Sequence, residues 1–179
     1  MSKVVLVTYV SLDGVVENPS WTVPYWNDEL AAYQRDQLFA SDALLLGRVT
    51  YEEFAAAWPT MTEEGDFGAR MNSLPKYIAT STLKALEWNA TAIEGDVVDT
   101  VVKMREQPGG DLLIYGSADL VGTLMAHDLI DEYRLIVYPT VVGKGRRLFP
   151  EGATAPTLQL ADTVTFNTGA VSLVYQPVR

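Results

Sequence analysis

The sequence predicts a three-layer α/β protein in which a mixed, mainly parallel sheet carries helices on both faces and ends in an antiparallel hairpin. Three observations point there. Apolar, strand-like runs alternate with helix-like segments from the start of the chain, beginning with "VVLVTYV" at 4–10 and "ALLLG" at 43–47. Two strands run straight into a glycine and a helix, in "LLLGRVTYEEF" and "LLIYGSADL". The last two runs, Leu158 to Phe166 and Val171 to Tyr175, alternate in polarity around Asn167-Thr168-Gly169, as the two arms of a hairpin do.

Taken in order, Val4 to Val10 is a β-branched apolar run suited to a strand covered on both faces. A loop punctuated by Asp13-Gly14, Pro19 and Pro24 follows, and then a helix from about Asp28 to Leu38 with Asn27 as its N-cap. After the strand Ala43 to Leu46, Thr50 reads as the N-cap of the next helix. Glu53 would close a capping box, and Val49 and Phe54 a hydrophobic staple. That helix must stop before Pro59. Residues 60–75 lack periodicity and read as a long excursion. Lys76 to Ala79 is a strand, and "LEWNATAI" supplies another. Val97, Val98, Val101 and Val102 fall at helical spacing behind the N-cap Asp96, with Pro108-Gly109-Gly110 as the stop. Ser117 caps a helix striped by Leu120, Val121, Leu124 and Met125. "EYRLIVYP" is a strand, one face of which could serve a two-fold homodimer, and a turn-rich stretch leads to the hairpin.

A chain of 179 residues most simply makes one domain, residues 1–179, burying roughly 70% of the surface its unfolded form exposes. Its net charge of -10, with no local basic patch, argues against nucleic acid. The absence of cysteine excludes disulfides, thiol catalysis and cysteine-bound zinc, and the single histidine, His127, cannot build a multi-histidine metal centre. His127 reads instead as a group capping a helix end. The opening "MSKVVLVTYV" is too short an apolar run for a signal peptide or membrane span, so the expectation is a cytoplasmic protein that meets no membrane.

The strand-glycine-cap arrangement suggests an anion site. Free amides and the positive dipole end of a helix favour phosphate, Gly47 allows close backbone approach, and Arg48 offers a planar fork of donors. Gly47-Arg48 could also be an ordinary turn, but Gly116-Ser117 repeats the design, and Thr80, Ser81 and Thr82 place hydroxyls at a third strand end. No G-x-G-x-x-G follows any strand, so this is not a Rossmann fingerprint. "LLLGRVTYE" resembles the Gly-Arg-x-Thr segment of the dihydrofolate reductase fold. "YGSADLVGTLMAHDLIDEYRLIVYPTVVGKGRRLF" resembles still more closely the reductase domain of the riboflavin-pathway deaminase-reductase and its stand-alone relatives. The likeness extends from "VTYVSLDGVV" to "RRLF". It implies a dihydrofolate reductase-like fold binding NADPH across the strand ends, with Gly47, Arg48 and Thr50 at the phosphates. Thr80 and Ser81 would meet the adenosine 2'-phosphate end, and Gly116, Ser117 and Ala118 the pyrophosphate. Dihydrofolate reductases usually carry two adjacent glycines at the last site, whereas here Tyr115 precedes a lone Gly116.

The resemblance also implies hydride transfer to a small heterocycle, pterin-like or ribosylaminopyrimidinone-like. Asp13 lies where the family lines the nicotinamide pocket, and Glu29 loosely matches the helix carboxylate of dihydrofolate reductases; these two are the catalytic candidates. Each has a plainer reading, Asp13 in a turn and Glu29 as a first-turn acid. Trp26, Gly143, Lys144 and Arg146 are the substrate-side candidates, an aromatic platform and a basic, glycine-rich turn. A dimeric NADP-binding protein without efficient chemistry is the competing expectation.

Overall fold

The computed structural model describes residues 1–61 and 65–179. Its strands are β1 (Val4–Ser11), β2 (Ser41–Gly47), β3 (Lys76–Ala79), β4 (Ala90–Ala92), β5 (Asp111–Gly116), β6 (Glu132–Tyr138), β7 (Leu158–Thr165) and β8 (Val171–Pro177). The helices are α1 (Asp28–Phe39), α2 (Arg48–Ala57), α3 (Gly65–Ser73), α4 (Val97–Glu106) and α5 (Ala118–Ala126). One sheet holds the strands in the order β4-β3-β2-β5-β1-β6-β8-β7. Every pair from β4 to β6 is parallel, and β8 runs antiparallel to both β6 and β7. The mainly parallel sheet with a terminal hairpin is the architecture the sequence pattern implies.

Strand alternation sorts the core into two layers. Leu6, Leu45, Ile114 and Leu135 pack with Val101 of α4 and with Leu120, Val121 and Leu124 of α5. Val5, Val7, Leu44, Leu46 and Leu113 pack on the opposite face with Leu30 and Leu38 of α1, Tyr51 of α2 and Met71 of α3. The central strands are apolar at nearly every position because both faces are covered.

Four expectations need correction. Thr50 is not an N-cap: Gly47 takes that position with extended backbone, and α2 starts at Arg48. The physical reason is the tight abutment of Gly47 on Ser117, which makes the chain turn at the glycine itself. The staple fails with it, since Val49 is exposed and Phe54 packs on Trp88 and Tyr115. The excursion at 60–75 contains α3, whose Met71 and Gly68 are buried; the part at 62–64 lies outside the described residues. Neither face of β6 is free for a dimer, because Tyr133 and Leu135 fill one core layer and Ile136 and Tyr138 the other. In the hairpin, a register shift between Leu160 and Asp162 brings Val164 opposite Ser172, and Leu160 stays exposed.

Lys76 is fully buried at the start of β3. Its Nζ donates to the carbonyls of Leu74 (2.7 Å) and Asn72 (3.1 Å) at the end of α3, and it lies 4.1 Å from the Trp88 ring centroid. Burial lowers its pKa to about 8. The unfolded chain therefore holds this proton more tightly, so folding stability should rise as pH climbs from about 8 toward the ordinary lysine value of 10.5. Denaturant titrations across that window should show the rise in the parent protein and its loss in Lys76→Met.

Candidate active site

The cleft originates in the pairing of β1. This strand pairs with β5 only from Val4 to Leu6, against Leu112 to Ile114, although β1 continues to Ser11 and β5 to Gly116. A register shift against β2 gives β5 an extra residue between Leu113 and Gly116, which bends its end away from β1. Beyond Leu6, the β5-facing edge of β1 has no strand partner among the described residues. Its peptide groups face an opening at the carboxyl ends of the strands, where open α/β sheets bind ligands.

Two cavities fill this region. The inner one, about 390 Å³, is lined by Thr8, Tyr9, Gln34, Thr50, Phe54 and Tyr115 among others. The outer one, about 400 Å³, is lined by Gly47, Arg48, Thr80, Ser81, Thr82 and Gly95. They share Val49, Ser117 and Asp119, so together they form one elongated groove over the tips of β3, β2, β5 and β1.

The shared residues mark the waist of the groove, where the first turns of α2 and α5 meet. Their approach leaves no room for side chains. A Cβ on Gly47 would come within 2.0 Å of Ser117 Oγ and 2.8 Å of its amide nitrogen, and one on Gly116 within 2.6 Å of Thr50 Oγ1. Gly116 also has φ of +155°, and the Gly116–Ser117 peptide is cis. Two helix amino ends and close backbone approach make a fitting cradle for a diphosphate group. One carboxylate, Asp119, sits there too, but Arg146 Nη2 donates to its Oδ1 at 2.7 Å and offsets its charge. Arg48, at the outer cavity, is turned along its own helix and donates to Glu52 (2.9 Å).

The residues expected at the cofactor converge here. Gly47, Arg48, Thr80 and Ser81 line the outer cavity, Thr50, Gly116 and Ala118 the inner one, and Ser117 both. Thr80 Oγ1 is engaged locally, accepting from the amides of Thr82 and Leu83 at 3.2 Å, while Ser81 is exposed. Arg146 alone of the substrate-side candidates lines a cavity. Trp26 is 52% exposed outside the groove, and Gly143 and Lys144 lie on the turn beyond it.

The two carboxylates expected to do chemistry are placed elsewhere. Asp13 accepts from Ser11 Oγ (2.5 Å) and from the amides of Val142 (3.1 Å) and Gly143 (2.8 Å), tying the β1 loop to the loop after β6. Those bonds, that from Ser11 foremost, hold its pKa down to about 2. Glu29 accepts from the amide of Asn167 (3.1 Å) at the hairpin turn. Neither lines the groove. His127 Nδ1 is 2.9 Å from the Thr123 carbonyl at the end of α5, the capping place its position implies.

The inner cavity instead presents groups that the sequence reading passed over. Gln34 Nε2 donates to Tyr9 Oη at 2.6 Å, and Tyr115 Oη is buried with no hydrogen-bond partner among the described residues. A signal existed for each. Thr8 and Tyr9 are polar residues inside the apolar run Val4 to Val10, and Gln34 and Gln37 interrupt the buried stripe of α1 between Leu30 and Leu38.

The chain is similar in sequence and in fold to known proteins. The sequence profile described as the RibD C-terminal domain matches residues 2–172. The chain belongs to the RibD C-terminal domain family. Within reach of that family, the uncharacterized protein YyaP of Bacillus subtilis (strain 168) is 28% identical over 176 residues, covering 97% of this chain and 94% of YyaP. A proposed riboflavin biosynthesis protein from Shewanella sp. PV-4 superposes with a TM-score of 0.74 at 18% identity, over 100% of both chains. The diaminohydroxyphosphoribosylaminopyrimidine deaminase/5-amino-6-(5-phosphoribosylamino)uracil reductase of Thermotoga maritima superposes with a TM-score of 0.70 at 14% identity, over 99% of this chain and 57% of that one. At such identities the superpositions establish the fold alone.

Proposed function

We propose that this RibD C-terminal-type protein is an NADPH-dependent reductase that delivers a hydride to a small heterocycle. The observation that carries the reading is the single groove that runs from the hydroxyls of Thr80 and Ser81, past the two-helix waist, to the unpaired edge of β1. Its outer part suits an adenosine 2'-phosphate, its waist a diphosphate, and the free edge of β1 a carboxamide. Bound there, the cofactor supplies the hydride. The chain's own residues hold it and shape the space beside it: Tyr9, Gln34 and Phe54 wall the inner cavity.

Charge at the rim narrows the substrate. Glu17, Glu53 and Asp119 line the inner cavity against one cation, Arg146, and that cation is already paired with Asp119. An unphosphorylated, pterin-like ring fits this field better than a phosphoribosyl compound, whose phosphate would face net negative charge. A dimeric NADP-binding protein without efficient catalysis is the second reading, favoured by the commitment of Asp13 and Glu29 to loops outside the groove.

Tryptophan-quenching titrations test the first step, since micromolar NADPH binding is expected and no binding at millimolar cofactor would refute both readings. NADPH consumption with a panel of dihydropterins and ribosylaminopyrimidinones then separates reductase from silent binder. Arg48→Ala should weaken NADPH about ten-fold, the scale of losing one charge-assisted phosphate contact of about 1.4 kcal/mol. The loss should be smaller for NADH; an equal loss would remove Arg48 from the 2'-phosphate.

A further inference from the structure

A chain of hydrogen bonds ends at the inner cavity, and its direction is fixed at the far end. Arg134, anchored by Nε to Glu132 Oε1 at 2.6 Å, can only donate, and its Nη1 reaches Gln37 Oε1 at 3.4 Å. That contact orients the Gln37 amide, as does its Nε2, which donates to the Tyr33 carbonyl at 3.3 Å. Gln37 Nε2 therefore also donates to Gln34 Oε1 (3.1 Å), and Gln34 Nε2 to Tyr9 Oη (2.6 Å). Every link points the same way. The phenol oxygen of Tyr9 is taken up as an acceptor, and its own proton has no acceptor among the described residues. Tyr9 lines the inner cavity, as do Gln34 and Tyr115, whose buried hydroxyl has no hydrogen-bond partner among the described residues.

We propose that Tyr9 donates the hydrogen bond that orients the hydride-accepting ring, to a ring carbonyl or ring nitrogen, with Gln34, Gln37 and Arg134 as positioning residues that fix the direction of that donation. The proposal rests on the reductase reading and gives it the polar group that neither Asp13 nor Glu29 supplies. A serial chain of donors polarises its last member, and a phenol proton left without an acceptor beside a cavity can be satisfied by an acceptor on the ligand. Burial raises the pKa of Tyr9 to about 12, so the phenol stays protonated at neutral pH and acts by hydrogen bonding, keeping its proton. Gln34 and Gln37 are themselves almost fully buried, which is costly for amides unless a bonded network holds them. That expense is understandable where the network serves a ligand.

The test uses the full chain loaded with NADPH and 7,8-dihydrobiopterin as the probe, followed by fluorescence and by NADPH consumption. Tyr9→Phe should keep the fold and NADPH affinity, and weaken the probe about ten-fold. Gln34→Glu is the second variant: its carboxylate accepts the Tyr9 proton, so the phenol turns an acceptor toward the cavity. Probe affinity should then fall as far as in Tyr9→Phe, whereas a merely structural role would show in Tm without discriminating against the probe. Loss of NADPH binding in the parent protein would refute the reductase reading itself. With NADPH bound, a parent that does not take the probe, or a Tyr9→Phe variant that takes it as tightly as the parent, would overturn the role given to Tyr9.

Discussion

Gly47→Ala is expected to cost about 3 kcal/mol of stability, the upper part of the range for overpacking, and to weaken NADPH at least ten-fold. The added methyl has nowhere to go. It would sit 2.0 Å from Ser117 Oγ, 2.7 Å from Ser117 Cβ and 2.8 Å from the Ser117 amide nitrogen. The hydroxyl can rotate away, but the backbone nitrogen can move only if the start of α5 moves with it. Ser117 borders both cavities, so such a shift disturbs the waist of the groove directly. The variant should melt roughly 6 to 12 °C lower, taking about 2 to 4 °C per kcal/mol for a chain of this size. Gly122→Ala is the matched control: it lies within α5 with no atom within 4 Å of the added Cβ, so it should leave binding unchanged and keep or raise Tm. Parent-like NADPH affinity in Gly47→Ala would show that the waist does not hold the cofactor.

Asp131→Ala should be comparably damaging, at the opposite end of the sheet. Its Oδ2 accepts from the amide of Val4 at 2.9 Å, and its Oδ1 from Arg105 Nη2 at 2.5 Å and Arg179 Nη1 at 2.8 Å. One carboxylate thus ties the first residue of β1 to α4 and to the chain terminus. Removing it leaves the buried Val4 amide without that acceptor, a cost of about 1–3 kcal/mol, and sets the side chain of Arg105 against lost charge. Part of the ion-pair energy is recovered by solvent, since Arg179 is 43% exposed. A loss of about 3 kcal/mol follows, measurable as a lower urea midpoint at unchanged m-value. Because the groove is remote, NADPH affinity in the folded variant should match the parent. Asp131→Asn keeps an acceptor for Val4 and should recover a good part of the loss.

How much of this was legible in the sequence depended on how local the signal was. Asp96 was readable as a cap because the whole interaction, its carboxylate accepting from the Asp99 amide at 3.0 Å, spans three residues. The stripe of α5 and the glycines at the ends of β2 and β5 were readable for the same reason. Thr50 shows the limit: its capping-box pattern is sound locally, but contact between Gly47 and Ser117, 70 positions apart in the chain, starts the helix three residues earlier than a Thr50 cap would allow. Asp13 and Glu29 show it again. Both lie at the expected points in sequence, yet amides from Gly143 and Asn167 claim their carboxylates. Tyr9 and Gln34 went unnoticed because a polar residue within a buried pattern has no meaning until its partner, 25 positions away, is known.

By itself the sequence determined the order and kind of most elements, the mainly parallel sheet, the RibD-like family and which strand tips carry glycine and hydroxyl groups, since all of these rest on periodicity and short motifs. Only the tertiary structure decided that β1 and β5 part company after Leu6, that the tips share one groove, and that Tyr9 and Gln34, and neither Asp13 nor Glu29, line its inner cavity. The reason is physical: side-chain patterning acts over a few residues, whereas strand divergence and hydrogen-bond direction are set by groups that meet only once the chain has folded.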